Sequence, residues 1–193
     1  MLKKLSQHTC KKKLAILANG IFYSKLEYAL PLIASTWNLD VYKDAGSKIN
    51  NFSKEDCRKL QVLQNEVCRI LLGKHHIYFK QSLSTEELLH RLDRLSIHQL
   101  GVYSTVMLVK KSIIYRSPGY FMNKLKNKDQ SSLRTCEKLC PLNVKLNLSR
   151  SSFFYRGIKL FNSLPSVLQE ETSLTRFQIE LKKWICKNIS IKP

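Results

Sequence analysis

The sequence predicts a mainly α-helical protein: an irregular helical bundle of about five to six helices, with a long basic loop and at most one short extended segment. Apolar residues recur at three- and four-residue spacing along most of the chain. Two capping boxes, Ser84 with Glu87 and Ser96 with Gln99, each open an apolar run. Alternation of the strand type is confined to Leu142, Val144, Leu146 and Leu148, and one such strand cannot make a sheet alone.

The elements follow in order. Residues 10 to 30 form the first predicted helix, with Leu14, Leu17, Ala18, Ile21, Phe22 and Tyr28 near helical spacing. Pro31 stops or bends it, because proline lacks the N–H that a helix interior needs. Trp37 to Phe52 is polar and punctuated by Gly and Asn, as loops are. Ser53 caps the next helix, with Asp56 three residues on, and Leu60, Leu63, Val67 and Ile70 make its apolar stripe until Gly73 ends it.

Leu83 with Leu88 and Leu95 with Leu100 staple the two boxed helix starts. The helix from Ile97 runs to about Ile114, buries Leu100, Tyr103, Met107 and Ile114, and is closed by Pro118 and Gly119. Tyr120 to Cys140 is rich in Lys, Asn and Ser and reads as a flexible segment. Phe153 to Phe161 is a short helix ended before Pro165, and Leu174 to Asn188 is the last, with Leu174, Phe177, Leu181, Trp184 and Ile185 inward. The chain therefore divides into a helix and loop at 1–50, a helical core with three capped helices at 51–115, a flexible basic linker at 116–150 and a C-terminal helical pair at 151–193.

Charge bounds the function. Over 193 residues, 33 Lys and Arg stand against 14 Asp and Glu, a net charge of +19. Solubility alone does not require so large an excess, so the natural partner is anionic. The excess is spread over the chain and heaviest in its last third, which suits a phosphate backbone: each neutralised phosphate releases counterions without sequence-specific geometry. Membrane phospholipid fits less well, since no compact polybasic cluster adjoins an amphipathic anchor. No run approaches the roughly 20 apolar residues that a spanning helix needs.

The first 26 residues hold no acid, yet they carry no Arg either, and a helix follows, so a transit peptide is not expected. Without an export signal, the six cysteines at 10, 57, 68, 136, 140 and 186 are expected as free thiols.

A search for catalytic constellations finds none. There is no Gly-rich phosphate loop, no G-x-S-x-G, no H-E-x-x-H and no adjacent aspartate pair of the two-metal kind. Cys136 and Cys140, spaced C-x3-C, could join His75 and His76 in a zinc site, but zinc modules show both ligand pairs at tight spacing, and free thiols with surface histidines are the preferred reading. His90 and His98 read as packing or solvent histidines. No catalytic residue, metal ligand or cofactor is predicted.

The segment Ser149 to Phe161, SRSSFFYRGIKLF, interleaves Arg150, Arg156 and Lys159 with Phe153, Phe154 and Tyr155. Cations hold phosphates while aromatic faces stack on unpaired bases. Adjacent aromatics at a helix start also serve as core anchors, so the aromatics go mainly to the core and the cations to the ligand. The predicted nucleic-acid-binding residues are Lys11, Lys12, Lys13, Arg58, Lys59, Arg69, Arg150, Tyr155, Arg156 and Lys159.

Five blocks in order, KLEYALPLIASTW (25–37), KLQVLQNEVCRILLG (59–73), TEELLHRLDRLSIHQLGVY (85–103), FFYRGIKLFNSLP (153–165) and SLTRFQIELKKWI (173–185), are spread along nearly the whole chain. Together they resemble the region that follows the polymerase palm in reverse transcriptases of Jockey-like non-LTR retrotransposons. The resemblance implies a thumb end, with residues 10 to 36 as a helix that holds the primer–template duplex, and then a post-polymerase region that binds template RNA or target DNA. The palm's aspartates are missing, so the polymerase activity does not carry over, and no family catalytic residue maps onto this chain.

The expected function is thus a nucleic-acid-binding C-terminal fragment of an RNA-directed DNA polymerase, not an enzyme itself. Its expected partners are RNA or DNA and the missing palm, with no membrane and no small-molecule substrate, in the nucleus or cytoplasm. The alternatives are a helical protein-interaction module built on the Leu60, Leu63, Val67 and Ile70 seam, and a non-functional retroelement remnant.

Overall fold

The computed structural model describes residues 2–34, 54–73, 83–117, 119, 126–127, 139–140 and 152–189, with only the backbone of 32–34, 54, 126–127, 140 and 154. The predicted loop at Trp37 to Phe52, the Ser53 cap and the alternating stretch at 142–148 lie outside these residues. Most of the predicted linker does too.

The fold is mainly α. In chain order the helices are α1 (Leu2–Leu5), α2 (Lys11–Ala18), α3 (Ser24–Ala34), α4 (Lys54–Leu71), α5 (Thr85–Arg91), α6 (Ile97–Tyr115), α7 (Phe153–Asn162), α8 (Ser166–Glu170) and α9 (Leu174–Asn188). Two two-residue strands, β1 (Lys126–Asn127) and β2 (Leu139–Cys140), pair antiparallel, where at most one extended segment was expected.

Helix α6 is the axis of the bundle. Helices α3, α4, α7 and α9 all pack on it, and it buries residues on every side, from Ile97 and Leu100 through Val102 and Val106 to Val109. Its predicted inward residue Ile114 is exposed instead, while Ser112 is buried and Ile113 packs against the core in the same turn. The helix closes on Arg116 in the left-handed conformation (φ 50°), two residues before Pro118. On α7, Gly157 lets the two backbones approach: a Cβ there would stand 3.3 Å from Val109 Cγ2 and 3.3 Å from Phe153 Cε2.

Both capping boxes form as predicted. Ser84 and Ser96 accept from the amides of Glu87 and Gln99, whose side chains accept in return from the cap N–H groups. Helix α9 spans the predicted residues and buries Phe177, Leu181 and Ile185, with Leu174 and Trp184 packed at the margin. Pro165 does end α7, but it also starts α8, which the sequence reading lacks.

Two predicted faces are met only in part, each for a physical reason: of the α4 stripe, Val67 is buried and Leu60 and Ile70 pack against the core, and Leu63 is turned out. On α4, Leu63 is 53% exposed, while Gln61, Gln64 and Asn65 are buried beside Val67, Cys68 and Leu71. The amides point inward because every one finds partners. Gln61 Nε2 donates to Gln64 Oε1 (2.9 Å) and Asn65 Oδ1 (3.0 Å), Gln64 Nε2 to the Leu95 carbonyl (2.8 Å), and Asn65 Nδ2 to Thr85 Oγ1 (2.9 Å). Gln61 Oε1 accepts from the Ile97 amide at 3.0 Å, one of the N–H groups at the start of α6 that no carbonyl within the helix reaches.

The second correction concerns the N-terminal helix. A π-helical turn, Asn19–Tyr23, joins α2 to α3, and the Ser24 N–H reaches five residues back to the Asn19 carbonyl. One extra residue in the turn shifts the buried series to Leu14, Ala18, Tyr23, Leu26 and Leu30. Ile21 and Tyr28, which helical spacing groups with Leu14 and Ala18, are therefore turned out to solvent. The helix also continues through Pro31 to Ala34 rather than stopping there.

Gln64→Ala should destabilise the fold by about 2 kcal/mol or more, because it strips buried groups of their partners, whereas Leu63→Ala should change stability by less than about 0.5 kcal/mol. Urea denaturation of the two variants measures the difference; a larger loss for Leu63→Ala would put the apolar stripe back in the core.

Candidate nucleic-acid interface

The predicted binding cations separate into two groups once their neighbours are known. On α4, Arg58 and Lys59 are exposed but lie 4.0 Å from Glu55 and 3.8 Å from Asp56, and Arg69 is 2.6 Å from Glu66. Each pair sits one helical turn apart, where opposite charges meet. Such surface pairs contribute little to stability, but they cancel much of the field that a distant phosphate would feel.

Lys11, Lys12 and Lys13 are different. They occupy the first turn of α2, are exposed, and have no carboxylate partner among the described residues. The Cys10 side chain makes no capping bond to that turn, and no acid stands in it. Three cations at the positive end of a helix repel both its dipole and one another. Lys3 and Lys4 on α1 and Lys25 on α3 are exposed as well, and no acid precedes Glu27. Helix α1 packs against α2, so the charge of both belongs to one end of the bundle. Lys3, Lys4 and Lys25 were not among the predicted binding residues; the absence of acid over the first 26 residues was the signal for them.

The C-terminal candidates are more enclosed. Phe153 is buried in the core, as a core anchor would be, and of Phe154 only the backbone is described. Tyr155, Arg156 and Lys159 are half-buried on α7. Burial lowers the pKa of the Arg156 guanidinium from its ordinary value. Arg150 lies outside the described residues.

No family model, curated protein or solved structure matches this chain. Beneath the lysine-bearing helices, the Tyr23 hydroxyl lies 3.7 Å from Cys68 Sγ, and Arg94 covers the Tyr23 ring at 4.4 Å while donating to Asn19 Oδ1 at 2.6 Å. Burial raises the pKa of both the phenol and the thiol. Burial and then Asp56 push Cys57 up to about 11. Raised in this way, these groups stay protonated near neutral pH.

A second enclosed cation, Lys110, donates to the Gln169 carbonyl at 2.8 Å and lies 5.1 Å from the Phe177 ring. It ties the C-terminal helices to α6 and is withdrawn from any external anion.

Of the proposed zinc ligands, His75, His76 and Cys136 lie outside the described residues, and Cys140 is described in its backbone alone. His90 is exposed and His98 half-buried. Cys10, Cys57, Cys68 and Cys186 are free thiols. No helix of the described residues is long and apolar enough to cross a membrane.

Replacing Lys11, Lys12 and Lys13 together by Gln should raise the melting temperature by about 2 °C or more, because repulsion at the α2 terminus is relieved. Arg58→Gln with Lys59→Gln should leave it unchanged or lower it slightly. Differential scanning calorimetry decides; a lower melting temperature for the triple variant would mean that these lysines hold the fold together.

Proposed function

We propose that this chain binds nucleic acid through backbone contacts made by its lysine-rich N-terminal helices, and has no polymerase activity of its own. The observation that carries the reading is the set of exposed lysines 3, 4, 11, 12, 13 and 25, which meet no carboxylate partner among the described residues. On α4 the fold places an acid one turn from each of Arg58, Lys59 and Arg69. On the N-terminal helices it leaves the cations open, at a cost to helix stability that an external polyanion would offset. A distributed lysine surface holds phosphates as point charges and reads no base edge, so the expected binding is general in sequence.

The order of the sequence blocks supports a more specific version, in which the chain is the thumb and post-polymerase part of a Jockey-like non-LTR reverse transcriptase. In that version α2 and α3 correspond to the helix that holds a primer–template duplex, and the catalytic aspartates belong to a palm upstream. RNA or DNA is the ligand, in the nucleus or cytoplasm.

A protein-interaction module is the second reading, favoured by the adjacent exposed residues Val62 and Leu63 on α4. Self-association in sedimentation without nucleic acid would support it.

Binding should weaken at least about tenfold between roughly 50 and 200 mM salt. The Lys11, Lys12 and Lys13 to Gln variant should flatten the log–log salt slope by about 2, while Arg58→Gln with Lys59→Gln should leave it nearly unchanged. Fluorescence anisotropy with labelled oligonucleotides measures both. Absent or salt-independent binding would refute the proposal.

A further inference from the structure

We infer that Tyr28 is a base-stacking residue, and that the π turn at Asn19–Tyr23 sets the register that presents it. The ligand class is accordingly a nucleic-acid strand with unpaired bases. This inference rests on the nucleic-acid reading above and deepens it.

The run from Lys11 to Ala34 is helical throughout, interrupted in type alone by the π turn. Uniform α spacing from Leu14 and Ala18 would carry the buried face on through positions 21, 25 and 28. The extra residue of the turn hands the buried place to Tyr23, Leu26 and Leu30, and Ile21, Lys25 and Tyr28 come to the surface together. Tyr23 is the residue that gains, since its ring lies under Arg94 and its hydroxyl meets Cys68. The turn is further held by the Ser24 hydroxyl donating to the Gly20 carbonyl at 2.5 Å, and by Arg94 on Asn19. Isolated π turns inside α-helices interrupt the regular hydrogen-bond ladder and are frequent at functional sites.

What the turn exposes is suited to a single strand. Tyr28 is 85% exposed, the most exposed of the large hydrophobic side chains described. Lys25 stands one helical turn before it, close enough for one nucleotide's phosphate to meet the cation while its base lies on the ring. Glu27, the neighbouring acid, is exposed, and its charge also raises the pKa of Tyr103 on α6, after burial. Lys12 and Lys13 lie on the same continuous run, about 20 Å away at 1.5 Å per residue. A strand following the run would meet cations at both ends and an aromatic face near one of them. In a duplex the base faces are already stacked, so a stacking Tyr28 favours a strand with unpaired bases over the duplex-holding version of α3.

The test is anisotropy at fixed salt with oligo(U), oligo(dT) and an abasic strand of the same length, using the full chain. Tyr28→Ala should weaken binding to both base-bearing strands about tenfold, while Tyr28→Phe stays within about twofold of the unsubstituted protein. Neither change should affect the abasic strand, and since Tyr28 is exposed, circular dichroism should show both variants folded. If Tyr28→Ala binds base-bearing strands as the unsubstituted protein does, or loses as much on the abasic strand, stacking is refuted. Abasic binding that is lost in the Lys11, Lys12 and Lys13 to Gln variant would then leave the backbone reading intact. If the unsubstituted protein binds none of the strands, both readings fail together.

Discussion

The architecture depends on a buried set of amides, Gln61, Gln64 and Asn65, pressed against the start of α6. Burying an amide without partners is unfavourable by several kcal/mol, and burying it with all partners in place costs little while allowing few alternatives. Here the partners come from three places: within α4 itself, the Leu95 carbonyl and Ile97 amide at the head of α6, and the Thr85 hydroxyl of α5. No rotation or slide of α4 preserves them all. Helix α4 thus has one register, and the leucine that a slide would bury stays in water.

The consequence reaches the N-terminal helices. With α4 held, Cys68 faces inward at a fixed place, and Tyr23 must meet it. Arg94, on the short connection that Gln64 also grips through Leu95, covers the tyrosine ring from another side. A regular α-helix cannot deliver Leu14, Ala18 and Tyr23 to one face, and the π turn makes up the difference. The outward register of Lys25 and Tyr28 is therefore set by contacts buried beneath them. Rigid presentation of this kind favours binding, because little order has to be gained when the ligand arrives.

Local signals were legible in the sequence and long-range ones were not. The boxes at Ser84 and Ser96 formed as read because all their bonds close within four residues. The final helix was legible because Phe177, Leu181 and Ile185 keep simple helical spacing against α6. The buried face of α4 was not, since a glutamine gives no local sign that a carbonyl 31 residues away awaits it. Nor was the π turn, whose cause lies in Cys68 and Arg94. Of the candidate site, Lys11, Lys12 and Lys13 were visible as an uncompensated run. The weaker standing of Arg58, Lys59 and Arg69 was also written in the sequence, in acids three residues away, but it became decisive only with the distances. Tyr28 was grouped by spacing with Leu14 and Ala18 for the same reason that the π turn was missed.

Lysine-reactivity footprinting with mass-spectrometric readout tests the central claim most directly. The protein is acetylated briefly with and without a saturating single-stranded oligonucleotide, and each lysine's labelling rate is compared. Protection should concentrate at Lys11, Lys12, Lys13 and Lys25, with Lys59 and Lys183, which already face Asp56 and Glu180, changing little. Protection confined to Lys59 and Lys183, or spread evenly over all lysines, would contradict a binding surface on the N-terminal helical run.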